Sequence, residues 1–135
     1  MVPLNPVRVF AAAPNAVCDA VLEVLSIMEL ELASDTRQDN ACLIESDVRR
    51  LSESGPPVNH LRDVAYVGNQ NFFSHGRFAF TVAVGQNSAG NTRVRITTRV
   101  EGYDAGYQNL RSTGLLESTA FDHLTAELGE SPISS

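Results

Sequence analysis

The chain predicts an α+β fold, an antiparallel sheet of four to five strands with two helices packed on one face, in the order β-α-β-β-(long loop)-β-β-α. Three observations carry this expectation. Residues 76–84 and 92–101 each alternate large apolar with small or polar side chains, the period of a strand with one dry face. Residues 14–29 and 115–128 space their apolar residues by three and four, the period of an amphipathic helix. Strands joined by short turns pair as hairpins, and the helices then bury their stripes on the one apolar face of the sheet.

The elements follow in order. Residues 6–11 read as a short first strand. Pro14 suits the first position of a helix, where a missing N–H costs nothing. From there Val17, Ala20, Val21, Val24, Leu25 and Met28 share one face, with Cys18 at its edge. Residues 30–34 and 41–46 read as a second hairpin around a turn at 35–40. Residues 47–75 are a long connection containing Arg49-Arg50, Gly55-Pro56-Pro57 and Phe72-Phe73. Its length and polarity make it the expected least rigid internal segment. Within it, 61–67 fits an edge strand or a helical turn equally well.

The central hairpin turns through Gly85-Gln86-Asn87-Ser88-Ala89-Gly90-Asn91, rich in turn formers. Its dry face holds Phe78, Phe80, Val82, Val94, Ile96 and Val100, all expected to be buried. Pairing Val84 with Val94 sets Arg77 opposite Glu101 and Arg95 opposite Ala83. Residues 102–107 read as a turn. Ser112 or Thr113 is placed to cap the last helix, whose apolar face is Leu115, Leu116, Ala120, Phe121, Leu124 and Leu128. Gly129 is a natural stop, and 130–135 should fray.

A length of 135 residues implies a single domain, here 1–129. The net charge of −6 argues against nucleic acid as a partner, since no general positive field exists. All ten basic residues are Arg, planar forks suited to carboxylates. No run approaches the ~20 apolar residues of a transmembrane segment. The first six residues lack the charged start and apolar run of a signal peptide.

Two stretches carry a resemblance: Ala12-Ala13-Pro14-Asn15-Ala16-Val17-Cys18-Asp19-Ala20-Val21 leading into Leu30-Glu31-Leu32, and Arg93-Val94-Arg95-Ile96 followed by Ser112-Thr113-Gly114-Leu115-Leu116-Glu117. In order and pattern the chain resembles helix-grip domains of bacterial envelope lipoproteins, the BamC-like domains. The resemblance spans most of the chain outside 47–75. It implies a non-enzymatic module in the periplasm or at the outer membrane. The lipid-anchor cysteine near the start of that pattern has no counterpart here.

Chemistry is sparse. His60, His75 and His123 lack metal-ligand spacing and read as surface residues, so no metal and no cofactor is expected. Cys18 and Cys42 read first as buried free thiols. A structural disulfide is the alternative and requires an oxidising compartment. No paired acid and base or activated nucleophile is visible, so no catalytic residue is assigned and the chain is not expected to be an enzyme. The candidates for partner binding are an arginine stripe, Arg93, Arg95 and Arg99, with Arg77 and Arg8 as neighbours, and the aromatics Phe72, Phe73, Tyr103 and Tyr107. The function expected is protein interaction or assembly. The alternative is a small apolar ligand held in a cavity between the sheet and the last helix.

Overall fold

The computed structural model describes residues 6–51, 56, 59–67 and 73–133. Among them are eight strands in one antiparallel sheet and three helices: β1 (Val7–Phe10), α1 (Pro14–Ile27), β2 (Leu32–Gln38), β3 (Ala41–Ser46), β4 (Arg49–Leu51), α2 (Leu61–Val64), β5 (Ala65–Tyr66), β6 (His75–Gln86), β7 (Thr92–Tyr103), β8 (Tyr107–Ser112) and α3 (Leu115–Leu128). The fold is α+β, as expected, with more strands than the four or five expected. The sheet runs β2-β3-β6-β7-β8-β5, with β1 also on β7 and β4 also on β6.

The three added strands are the ones whose sequences hide them. β4 and β5 have three and two residues, too few for an alternation to emerge. β8, Tyr-Gln-Asn-Leu-Arg-Ser, buries no side chain fully, so its period-two signal is faint. Residues 61–67 contain both of the structures that they suggest: a helical turn, α2, and then a strand, β5. The connection 47–75 is therefore partly ordered into the sheet. Residues 52–55, 57–58 and 68–72 of it, Phe72 included, lie outside the described residues. β2 also begins later than expected and runs on through Gln38, leaving Asp39-Asn40 as the turn, with Asn40 at φ 60.

β6 and β7 form the centre, paired over twelve positions from His75↔Tyr103 to Gln86↔Thr92. Their dry face is the one expected: Phe78, Phe80, Val82, Val94, Ile96 and Val100 are all buried. α1 and α3 cover this face with Val17, Val21, Val24 and Leu25 from one helix and Leu116, Ala120, Phe121 and Leu124 from the other. Where β3 gives way to β4 along β6, the hydroxyl of Ser46 accepts the Phe80 N–H at 2.9 Å and fills the gap in the ladder.

Cys18 and Cys42 are joined in a disulfide with 6.4 Å between their Cα atoms, so they are not the free thiols first expected. The cause is the side-chain period of β3. Cys42 lies opposite Val84 on the dry face, directly beneath α1. Arg8 is a second correction. Opposite Val94, it faces inward, and its guanidinium stands 4.8 Å from the Phe121 ring centroid, away from the other arginines.

Ser112 and Thr113 accept the N–H groups of Gly114 and Leu115, while the N-cap position itself is Gly114 at φ 91. Gly129 at φ 69 closes α3 as expected. The tail expected to fray is held as far as 133. Glu130 accepts the Ala12 N–H at 2.8 Å, and the Ile133 N–H donates to the Val9 carbonyl at 2.6 Å.

Gly76 and Gly102 face each other on β6 and β7 where the sheet meets α2. A Cβ on Gly76 would stand 2.7 Å from Leu61 Cδ1 and 2.8 Å from the Glu101 carbonyl oxygen. One on Gly102 would stand 2.8 Å from the Phe73 ring. Both glycines are there to let other groups approach the backbone.

Candidate functional site

With both long helices on one face, the other face of the sheet is bare among the described residues. Alternation along β6 and β7 decides what it carries. From β6 come Arg77, Ala79, Thr81, Ala83 and Gly85, and from β7 come Arg93, Arg95, Thr97, Arg99 and Glu101. β3 adds Leu43, opposite Ala83, and Glu45, opposite Thr81. β1 adds Val9 beside Arg93 and Val7 beside Arg95.

The three stripe arginines share this face as expected, and each lies opposite a small residue: Arg93 opposite Gly85, Arg95 opposite Ala83, Arg99 opposite Ala79. No neighbouring side chain on β6 rises to cover a guanidinium. All three are exposed. Among the described residues, Arg93 and Arg95 have no ion pair, whereas Arg99 Nε lies 4.0 Å from Glu101 Oε1. Arg77 holds that same carboxylate oxygen more closely, with its Nε donating at 2.8 Å. This bond raises the Arg77 pKa further above an already high value, against the opposing effect of desolvation.

At the far end of the face is an aromatic cluster. His75 stacks on Tyr103 with centroids 4.8 Å apart, and its Nε2 lies 3.2 Å from Tyr107 Oη. Tyr103 and Tyr107 meet edge to face at 5.1 Å. The Arg77 guanidinium sits 3.5 Å above the Tyr107 ring. The two tyrosines are 36% and 40% exposed, so each still offers part of its ring to solvent beside the arginines. Phe73 is partly buried and packs against the core next to Gly102.

The structure therefore joins Arg99, Tyr103 and Tyr107 through Arg77 and Glu101. It leaves Arg93 and Arg95 at the other end, with no ion pair among the described residues. His75 reads in sequence as a lone surface histidine. Its partnership follows from extending the Arg77–Glu101 pairing by two residues, which sets His75 opposite Tyr103. Leu43, 42% exposed in the same cross-strand row as Arg95, carries no signal in sequence, because the pairing of β3 with β6 is a long-range fact.

The two long helices and the bare face differ in charge. α1 and α3 carry Asp19, Glu23, Glu117, Asp122 and Glu127 and no Arg. The bare face carries Arg77, Arg93, Arg95 and Arg99, with Arg50 of β4 opposite Arg77, against Glu45 and Glu101. A cleft of about 240 Å³ lined by Ile27, Met28, Arg49 and His123 lies off this face, and one of about 230 Å³ lined by Thr36, Gln38 and Leu43 lies at its β2–β3 margin. Among the described residues no three His, Cys, Asp or Glu side chains are grouped to hold a metal ion, and no helix is long and apolar enough to cross a membrane. No protein-family model matches the chain, and no curated protein matches it significantly.

Proposed function

We propose that this chain is a non-catalytic protein-interaction module of a bacterial envelope protein, and that the bare face of its sheet receives an acidic segment of the partner. One observation carries the reading: Arg93 and Arg95 stand exposed over Gly85 and Ala83 with no ion pair among the described residues, in a chain of net charge −6. The chain has carboxylates in excess, yet none among the described residues is paired with these two guanidinia. An Arg fork binds a carboxylate through two parallel hydrogen bonds, which gives direction as well as attraction. Leu43 and the part-exposed tyrosines supply apolar contact on the same face.

The Cys18–Cys42 disulfide supports an envelope compartment, because such bonds persist where the surroundings are oxidising. The resemblance to BamC-like domains points the same way. The apolar-ligand alternative has less support. Phe78, Phe80, Val100, Leu116 and Leu124 fill the space between sheet and α3.

The test is a quantitative pull-down from envelope extracts of the native organism, using wild type, R93Q/R95Q and R99Q. The double variant should lose about tenfold or more of the captured partner, an effect of about 1.4 kcal/mol. R99Q should lose less, since Glu101 already engages that side chain. All three should melt alike, because exposed substitutions cost within about ±0.5 kcal/mol. Equal recovery by wild type and R93Q/R95Q would remove the reading.

A further inference from the structure

The sheet ends on one side at β2, and the geometry points to what covers that edge: we propose that two copies of this chain pair along β2 as antiparallel neighbours, with Thr36 opposite Thr36 and Asp35 opposite Arg37 of the other copy. β2 is bonded to β3 alone and lies last in the strand order. The other margins are short or occupied. β5 has two residues and β4 three, β1 receives the Ile133 N–H, and β8 is partly covered by β5. Among the described residues, β2 is thus the longest run of strand with nothing beyond it.

Natural edges are usually blunted by charged side chains, Pro, a bulge or a covering element. A two-fold axis that sets opposite charges against each other turns such charges from a guard into a contact. Between Ser34 and Gln38 there is neither Lys nor Pro, and the one irregularity lies before it, between Leu32 and Ser34. The run Ser34-Asp35-Thr36-Arg37-Gln38 is self-complementary in charge about Thr36. Because side chains alternate, a pairing that keeps both helix layers on one side matches only residues of like parity. Centred on Thr36, it sets Asp35 against Arg37 twice and Ser34 against Gln38 twice. Moving the axis by one residue sets Asp35 against Asp35, or Arg37 against Arg37. Like charges directly opposite are unfavourable, so charge selects a single register. The other member of each charge pair is ready in place: within one chain Arg37 Nε lies 3.1 Å from Asp35 Oδ2 and its Nη1 2.8 Å from Asp19 Oδ1. Two-fold pairing draws these into one ring of alternating charge, and the two sheets become one.

The inference is independent of the arginine face, which such pairing leaves open on both copies. Sedimentation velocity on wild type, D35R, R37D and an equimolar mixture of the two variants tests it. At about 100 μM wild type should be dimeric, and each single variant should weaken association about tenfold or more by placing like charges opposite. In the mixture, the D35R chain brings two arginines to the edge and the R37D chain two aspartates, so the heterodimer should return. Its return also shows that both variants fold. A wild type that stays monomeric, or single variants that associate as wild type does, would overturn the proposal. So would a mixture that stays monomeric.

Discussion

Glu101, its side chain 15% exposed, takes Arg77 at 2.8 Å and Arg99 at 4.0 Å, and so separates these arginines from Arg93 and Arg95. The distinction is only half visible in the sequence. Alternation puts Arg93, Arg95, Arg99 and Glu101 on one face and the hairpin register sets Arg77 opposite Glu101, but that Arg77 holds the carboxylate more closely than Arg99 does is seen only in the structure. Arg37 and Arg77 both have raised pKa values, the first chiefly through its bond to Asp19 and the second through Glu101. A raised folded pKa stabilises below the unfolded value and loses that contribution only as pH climbs through the arginine range. Near neutrality these groups stay charged, and salt rather than pH is what weakens them. The disulfide acts differently, by restricting the unfolded chain over a sequence separation of 24. A loop of this size corresponds to about 3 kcal/mol. Denaturant titration of wild type with and without reductant should show a loss of that order, while C18A/C42A should respond to reductant not at all. Equal stability of wild type in both conditions would contradict it.

β6 and β7 can be read from sequence because a half-buried strand repeats every two residues, and twelve paired positions leave ample pattern. α1 and α3 can be read for the same reason at the helical period, down to Pro14 at one start and Gly129 at one end. β8 cannot, since both of its faces are largely wet. β4 and β5 cannot, since their register comes from β6 and β8 rather than from themselves. The Gly76–Gly102 pair is equally hidden: a glycine in a strand signals a close approach without saying of what. Gly76→Ala should cost about 1–3 kcal/mol, because the nearest obstacle after Leu61 is the Glu101 carbonyl, which the ladder holds still. Gly85→Ala, with nothing within 4 Å of the added carbon, should be near neutral. Thermal melts of the two variants check this, and equal midpoints would mean that the strands part more easily than the geometry implies.

The molecule as a whole has two unlike sides. Its two long helices carry five carboxylates and no arginine, and its bare sheet face carries more arginines than carboxylates. An overall charge of −6 conceals this division, which emerges only once the sheet sorts alternate residues to opposite sides. The α+β class and the single dry face follow from period alone. That the opposite face is bare among the described residues, and that it collects Leu43 and Tyr107 beside the arginines, follows from pairings of β3 and β8 that no local pattern contains. Site-specific photocrosslinking in native cells addresses the use of that face directly. A benzophenone side chain is placed at Ala83 or Thr97 on the bare face, and at Glu23 or Asp122 on the helices, all four exposed positions. Partner adducts should form from Ala83 and Thr97 and vanish when R93Q/R95Q is added. Adducts that form only from Glu23 and Asp122, or that survive R93Q/R95Q unchanged, would contradict the account.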